Sequence, residues 1–243
     1  MRRQAKEILR KLDLERVGIE VWQTLRRKYW QTSTKLGREK RIVRKYLSTH
    51  EVHKLHLGCG GHILPGWLNT DLYPETPAIA RLDVTRPFPF QDGVFDNIYT
   101  EHMIEHIPYA QGFQMLQECY RVLKSDGTLR VCTPNLAFLI GLYKPDKSDT
   151  EKRYIKETSD IWIKFAPYYD EVFVINNFVR DWGHQFIYDE RTLATALRKA
   201  GFTRIVRLNL NESQEEALRN LENEERYPEG LLRLETLTLE AKK

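Results

Sequence analysis

Between residues 53 and 71 the chain passes from a short apolar strand into a glycine cluster and leaves along a second strand that ends on a carboxylate. The segment reads His53-Lys-Leu-His-Leu-Gly-Cys-Gly-Gly61, then Trp67-Leu-Asn-Thr-Asp71. Glycines let the backbone turn sharply and approach a ligand with no Cβ in the way. An acid at the tip of the next strand can accept both hydroxyls of a ribose. This is the layout of a nucleotide-type cofactor site on an open parallel sheet. A G-x-G after a strand also serves as a plain connector, so its meaning depends on the residues beyond it. Gly58 and Asp71 are 13 residues apart, against the roughly 20 expected between a dinucleotide fingerprint and its acid. Ile63 stands where a third glycine would fall. Both facts count against a pyrophosphate-bearing cofactor, and so against an NAD-dependent oxidoreductase.

From residue 53 onward strands and helices alternate. Lys54–Leu57, Trp67–Asp71, Ile79–Leu82, Phe95–Thr100 and Thr128–Thr133 read as strands. Asp92-Gly93 is a turn signal before the fourth. Tyr109–Leu123 reads as a helix, as does Asp189–Ala200, with Gly201 well placed as its C′ residue. Thr203–Leu208 and Leu232–Leu239 read as a final strand pair with no helix between them. Such alternation predicts an α/β sheet covered on both faces.

Charge divides the chain. Residues 1–50 carry 15 Lys/Arg against five Asp/Glu, although the net charge of all 243 residues is only +4. The reading is a basic helical arm over 1–50 and one domain over 51–243. Within the arm a helix is expected over residues 3–30, with Ala5, Ile8, Leu9, Leu12, Val17, Trp22, Leu25 and Tyr29 as its apolar stripe, and a second over residues 37–47. The blandest role is packing on the domain or on a second subunit. Next comes contact with an anionic membrane surface, helped by Trp22 and Trp30. RNA binding ranks last, because no nucleic-acid module accompanies the charge. No apolar run reaches the roughly 20 residues needed to span a bilayer. Cys59, Cys119 and Cys132 form neither a disulfide framework nor a metal spacing. A cytoplasmic location is the economical expectation.

Successive strand ends deliver Gly58 and Gly60, then Asp71, then Asp83-Val84, with Glu101 and His102 after the fourth. With Leu55-His-Leu-Gly-Cys-Gly60, Leu82-Asp-Val84, Phe95-Asp96, Glu101-His-Met-Ile-Glu-His106 and Arg121-Val-Leu-Lys-Ser-Asp-Gly127 in view, the chain resembles class I S-adenosylmethionine-dependent methyltransferases of the methyltransferase type 11 group. Gly183-His-Gln-Phe-Ile-Tyr-Asp189 and Leu197-Arg-Lys-Ala-Gly-Phe202 extend the likeness to most of residues 53–243. The resemblance implies a Rossmann-like seven-stranded sheet with its last strand antiparallel and S-adenosyl-L-methionine as cofactor. It would place Gly58 and Gly60 at the methionine moiety, Asp71 at the ribose hydroxyls, and Asp83 with Val84 at the adenine. Cys59, Leu72, Glu101 and His102 complete the candidate cofactor site, and Asp96 and Glu101 bracket the mouth of the sheet. One departure is His56, which stands where many members carry an acid two residues before the first glycine.

The cofactor is a sulfonium with an ammonium and a carboxylate but no phosphate, so acidic strand ends suit it. Alignment of the nucleophile supplies most of the catalysis, up to roughly 7–11 kcal/mol in well-oriented systems. A hydroxyl acceptor also wants a general base, and His184 and His106 are the candidates, each with a purely structural role as its alternative. His102-Met-Ile-Glu-His106 also fits the inverted zinc-protease signature H-x-x-E-H. Pro108 denies it the long helix such a site needs, so no metal is expected. Residues 136–189 hold 12 of the chain's 27 aromatic residues and read as an insertion capping the cofactor site. Tyr168 and Trp182 are its candidate substrate contacts, and a satellite core is the bland alternative. The function expected is O-methylation of a small-molecule or saccharide hydroxyl. The alternative is a non-catalytic cofactor-binding module on the same fold.

Overall fold

Leu55 and Leu57 of the first strand have no exposed surface, and His56 between them is 1% exposed. A strand sealed on both faces belongs at the centre of a parallel sheet, and that is where it lies. The computed structural model describes residues 37–243; the helix expected over residues 3–30 lies outside the described residues. The chain runs through α1 (Arg38–Thr49), β1 (Lys54–Leu57), β2 (Leu68–Asp71), β3 (Ala80–Arg81), β4 (Phe95–Glu101), α2 (Tyr109–Val122) and β5 (Leu123–Pro134). It continues through α3 (Leu136–Gly141), α4 (Asp149–Trp162), α5 (Glu171–Arg180), α6 (Glu190–Ala200), β6 (Thr203–Leu208), α7 (Leu231–Glu235) and β7 (Thr236–Lys242).

The seven strands lie in the order β3-β2-β1-β4-β5-β7-β6. β7 is antiparallel to both neighbours, and the other pairs are parallel. The strand order reverses between β1 and β4, and at such a switch ligands bind beyond the carboxyl ends of the strands. Gly58 and Glu101 stand at those two ends.

Apolar side chains explain the layers. Leu55, Leu57, Ile98, Leu129 and Val131 from the sheet pack with Met115, Cys119, Leu193 and Leu197 from α2 and α6. On the other side Trp67, Tyr99 and Cys132 meet Leu210, Leu218, Leu221 and Leu232 from the C-terminal connection. α6 is capped as its sequence indicates: the Thr192 N–H donates to the Asp189 carboxylate at 2.7 Å, and Gly201 takes φ 113°. α1 is anchored to the sheet by Tyr46, whose hydroxyl donates to the Lys54 carbonyl (3.0 Å) and accepts from the Lys54 N–H (2.7 Å).

Two boundaries differ from the sequence reading by four or more residues. The last strand is Thr236–Lys242 rather than Leu232–Leu239, because Leu231–Glu235 forms a short helix that buries Leu231 and Leu232. A run of leucines suits a buried helix turn as well as a strand. Two 3-10 turns, Glu216–Leu218 and Glu224–Arg226, also separate β6 from β7. β5 begins at Leu123, since residues 124–127 bulge out between the Leu123↔Phe95 and Thr128↔Asn97 pairs.

The connection from β6 to β7 is fastened by Arg130, which has no exposed surface. Its guanidinium pairs with Glu222 at 2.6 Å and Glu240 at 2.7 Å and donates to the carbonyls of Glu212 (2.8 Å) and Asn209 (3.2 Å). Removing one partner of a buried ion pair typically costs about 3–5 kcal/mol, because the other charge stays buried without it. Arg130→Met is expected to destabilise the fold by that amount in urea unfolding. Arg130→Lys, which keeps the charge but loses the fork, should cost less.

Candidate cofactor and acceptor cavities

Two cavities meet at the carboxyl end of β4. The first, of about 310 Å³, is lined by His56, Gly58, Cys59, Gly60, Gly61, His62, Glu101, His102 and Asn223. The second, of about 300 Å³, is lined by His102, Glu105, His106, Trp162, Phe178, Trp182, His184 and Tyr227. His102, at φ 46°, is a wall of both. Its Nε2 lies 3.1 Å from the Thr236 hydroxyl, which fixes the ring between them.

The first cavity is built by the glycine turn. Gly58 takes φ 65°, and a Cβ there would collide with the Met103 side chain. Gly60 takes φ 50° with no atom within 4 Å of the corresponding position, so its open face looks onto free space. The Gly60 N–H donates to Asp71 Oδ2 (3.0 Å) and the Tyr73 N–H to Asp71 Oδ1 (2.7 Å). Asp71 therefore holds the loop in shape from the end of β2. The Leu82 N–H donates to the Asp71 carbonyl (3.0 Å), which brings the start of the Asp83 turn beside it. Asp83 itself accepts from the Thr85 N–H (3.0 Å) and hydroxyl (2.6 Å).

Charge in this cavity suits a cationic, phosphate-free ligand. Glu101, 8% exposed, brings a carboxylate into its lining. Burial pushes the His56 imidazole down to about 4, so it adds no positive charge. Burial, with Asp71 nearby, pushes the Cys59 thiol up to about 12. That cysteine is a packing group and not a nucleophile.

The second cavity is assembled across 125 positions of chain, from His102 to Tyr227. The Gln185 and Phe186 N–H groups both donate to the Glu105 carbonyl, at 2.7 and 3.2 Å. The Gln185 side-chain amide donates to the His106 carbonyl at 2.9 Å. Trp182 (φ 57°) and Gly183 (φ 77°) are both left-handed, and they turn the chain so that His184 faces His106, ring centroids 4.8 Å apart. Nδ1 of His184 lies 2.7 Å from the Phe178 carbonyl. A carbonyl can only accept, so Nδ1 carries the proton and Nε2 has the lone pair. Burial lowers the pKa of both imidazoles, and for His106 the neighbouring His184 lowers it further. Glu105 has no exposed surface; its Oε2 accepts from the Thr133 hydroxyl at 3.0 Å, and Oε1 lies 3.5 Å from His102 Nδ1. Above this floor Trp162 packs edge-on against Trp182 at 5.6 Å and Phe178 against Trp182 at 5.1 Å.

Of the residues singled out in the sequence, Gly58, Cys59, Gly60, Glu101 and His102 share the first cavity. His106, His184 and Trp182 share the second. Asp71 reaches the first through Gly60, while Leu72, Asp83 and Val84 lie outside its lining. Tyr168 lies outside the second cavity, 64% exposed and packed against Phe173 at 5.5 Å. Part of the insertion is a satellite core, with Tyr154 and Phe178 buried among leucines, isoleucines and Val174. Glu105 was visible in the motif at 102–106 but had no role there. Asn223 and Tyr227 come from a Glu-rich connection that carries no periodic signal, and only the fold reveals them.

A family comparison agrees with this arrangement. Residues 68–131, from β2 into β5, match the family described as methyltransferase domain. Over that stretch the chain is similar to the methyltransferase domain family, in keeping with the resemblance to class I S-adenosylmethionine-dependent methyltransferases. No curated protein matches the sequence. Among solved structures, a SAM-dependent methyltransferase from Archaeoglobus fulgidus is similar at 18% identity, covering 88% of this chain and 99% of that one, with a TM-score of 0.47. A possible histamine N-methyltransferase from Thermotoga maritima is similar at 16%, covering 88% and 98%, with a TM-score of 0.44. A Mesorhizobium loti S-adenosylmethionine-dependent methyltransferase is similar at 15%, covering 79% and 91%, with a TM-score of 0.45. Among the described residues no helix is long and apolar enough to cross a membrane.

The methyltransferase's cofactor is S-adenosylmethionine, and the first cavity fits it. The fit lies in a glycine turn open to the ligand, a carboxylate for a positive group, and no lysine in the lining to seek a phosphate. Asp71→Ala, which releases the Gly60 and Tyr73 N–H groups and so loosens the glycine turn, should weaken S-adenosylhomocysteine binding at least about tenfold, because a hydrogen bond to a charged group is worth about 1.5–3 kcal/mol. Calorimetric titration checks this. Gly58→Ala should lower both the melting temperature and that affinity, since strain at positive φ and the collision with Met103 act together.

Proposed function

We propose that this methyltransferase transfers the methyl group to a hydroxyl of a small molecule or saccharide held in the second cavity, with His184 or His106 as general base. The observation that carries this reading is the meeting of the two cavities at His102, with two low-pKa imidazoles on the floor of the aromatic-walled one. An unprotonated imidazole accepts a proton, whereas an imidazolium does not. Nε2 of His184 has its lone pair available because Phe178 fixes the proton on Nδ1.

The reaction balances simply. The carbon–oxygen bond forms as the carbon–sulfur bond breaks, sulfur keeps the electron pair, and the hydroxyl proton passes to the imidazole. S-adenosylmethionine supplies an already activated methyl group. This chain's residues bind it, exclude water with the aromatic wall, and hold the acceptor in line. Trp162, Trp182 and Tyr227 offer flat apolar faces that suit a sugar or aromatic ring. The acceptor is thus a ring-bearing neutral molecule rather than a nucleic acid. The cytoplasm is its proposed location. Tyr168 is proposed to meet the acceptor at the outer rim, and Leu72, Asp83 and Val84 to bound the cofactor's adenosine end. The basic arm is proposed as a subunit or peripheral membrane contact.

The test is a panel of mono- and disaccharides and phenols incubated with S-adenosylmethionine and followed by mass spectrometry. A methyl ether is expected. Product methylated on nitrogen or carbon alone would refute the hydroxyl acceptor. Losing a general base typically costs about 10²–10⁴-fold in rate, so one of His184→Ala and His106→Ala should show a kcat loss of that size. Both should keep the wild-type affinity for S-adenosylhomocysteine.

A further inference from the structure

The geometry points to a binding site for one divalent first-row transition-metal cation on the floor of the second cavity, held by Glu105, His106 and His184. Ligand-capable atoms of these three residues all lie within 4.8 Å of one another. Ligands at ~2.0–2.1 Å from a shared ion stand roughly 3.3 Å apart in tetrahedral geometry, so the set must draw together by at most about 1.5 Å to share an ion.

The donors select the ion. Two imidazoles and one carboxyl suit zinc, cobalt, nickel or iron, whereas calcium and magnesium prefer oxygen ligands throughout. The outer partners that such ligands use are also in place. The Nδ1–H of His184 is spent on the Phe178 carbonyl at 2.7 Å, which leaves Nε2 to ligate. The Glu105 carboxyl is oriented by the Thr133 hydroxyl at 3.0 Å. Metal-bound histidines and carboxylates are held by second hydrogen bonds of this kind. The backbone bonds from Gln185 and Phe186 to the Glu105 carbonyl fix the spacing between the two chain segments.

Three protein ligands facing a cavity of about 300 Å³ leave coordination positions open, as catalytic rather than purely structural sites do. The short motif at 102–106 contributes differently from a protease helix. Ile104–His106 is a single 3-10 turn, and His184 stands where a second helical histidine would otherwise be needed. Binding of the ion is independent of the acceptor chemistry. Its effect there rests on the reading of this cavity as the acceptor site. A bound cation would polarise the acceptor oxygen and make its hydroxyl more acidic; in the ion-free protein the same imidazoles are available as base.

Metal-free, tag-free full-length protein titrated with Co²⁺ tests the site by its visible absorption, with Zn²⁺ as competitor. We expect one Co²⁺ per chain, displaced by Zn²⁺, with affinity falling at least tenfold in His106→Ala, His184→Ala and Glu105→Gln. Thermal melting of each variant shows that it is folded, and His106→Asn or His184→Asn replaces an alanine variant that is not. Absence of saturable binding in the wild type overturns the proposal. So does binding that survives the loss of His106 and His184, or binding abolished instead by His62→Ala. Failure of the methyltransferase reading would show separately, as loss of S-adenosylhomocysteine binding with cobalt binding intact.

Discussion

The second cavity depends on one buried turn. Glu105 offers its carbonyl to two successive N–H groups from the segment after His184 and its carboxyl to a hydroxyl on β5. None of these three bonds is strong, since a net hydrogen bond is worth about 0.5–1.5 kcal/mol. Their effect is geometric. They bring a chain segment from the end of the insertion to the tip of a central strand, and so make neighbours of two imidazoles that are far apart in sequence. A loop can carry chemistry accurately when it is fastened to a rigid strand end in this way.

The sheet supplies the other half of the construction. β1 and β4 are sealed on both faces, so their ends are the points where backbone and carboxylate emerge toward ligands. The glycine turn emerges from β1, Glu101 ends β4, and Asp71 from β2 ties the turn down through Gly60. The long C-terminal connection closes the far side. It is held by Arg130 and its two carboxylate partners, and it carries Asn223 to one cavity and Tyr227 to the other.

Much of this was legible in the chain because parallel strands advertise themselves. Apolar runs such as Leu55-His-Leu57, turn glycines and acids at strand ends mark the sheet and its working edge from local sequence alone. The boundary of β7 was not legible, since Leu231-Leu-Arg-Leu-Glu235 satisfies helix and strand equally until its packing partners are known. The aromatic residues of the insertion were visible as a group, but their division was not. Phe178 serves the satellite core and the cavity wall together, whereas Tyr168 and Phe165 face solvent. The importance of Glu105 lay hidden for a related reason: its partners Thr133, Gln185 and Phe186 lie 28 to 81 positions away, and no local pattern records such contacts.

His102 has a consequence of its own. One imidazole forms part of the boundary of both cavities, and a residue at positive φ pinned to Thr236 has few alternative positions. Two ligands that press on the same ring from opposite sides exchange free energy through it. Whatever factor the first occupant applies to the affinity of the second, the second must return to the first. A ring shared in this way would make the two cavities a single thermodynamic unit, in which the order of loading alters the route and never the total.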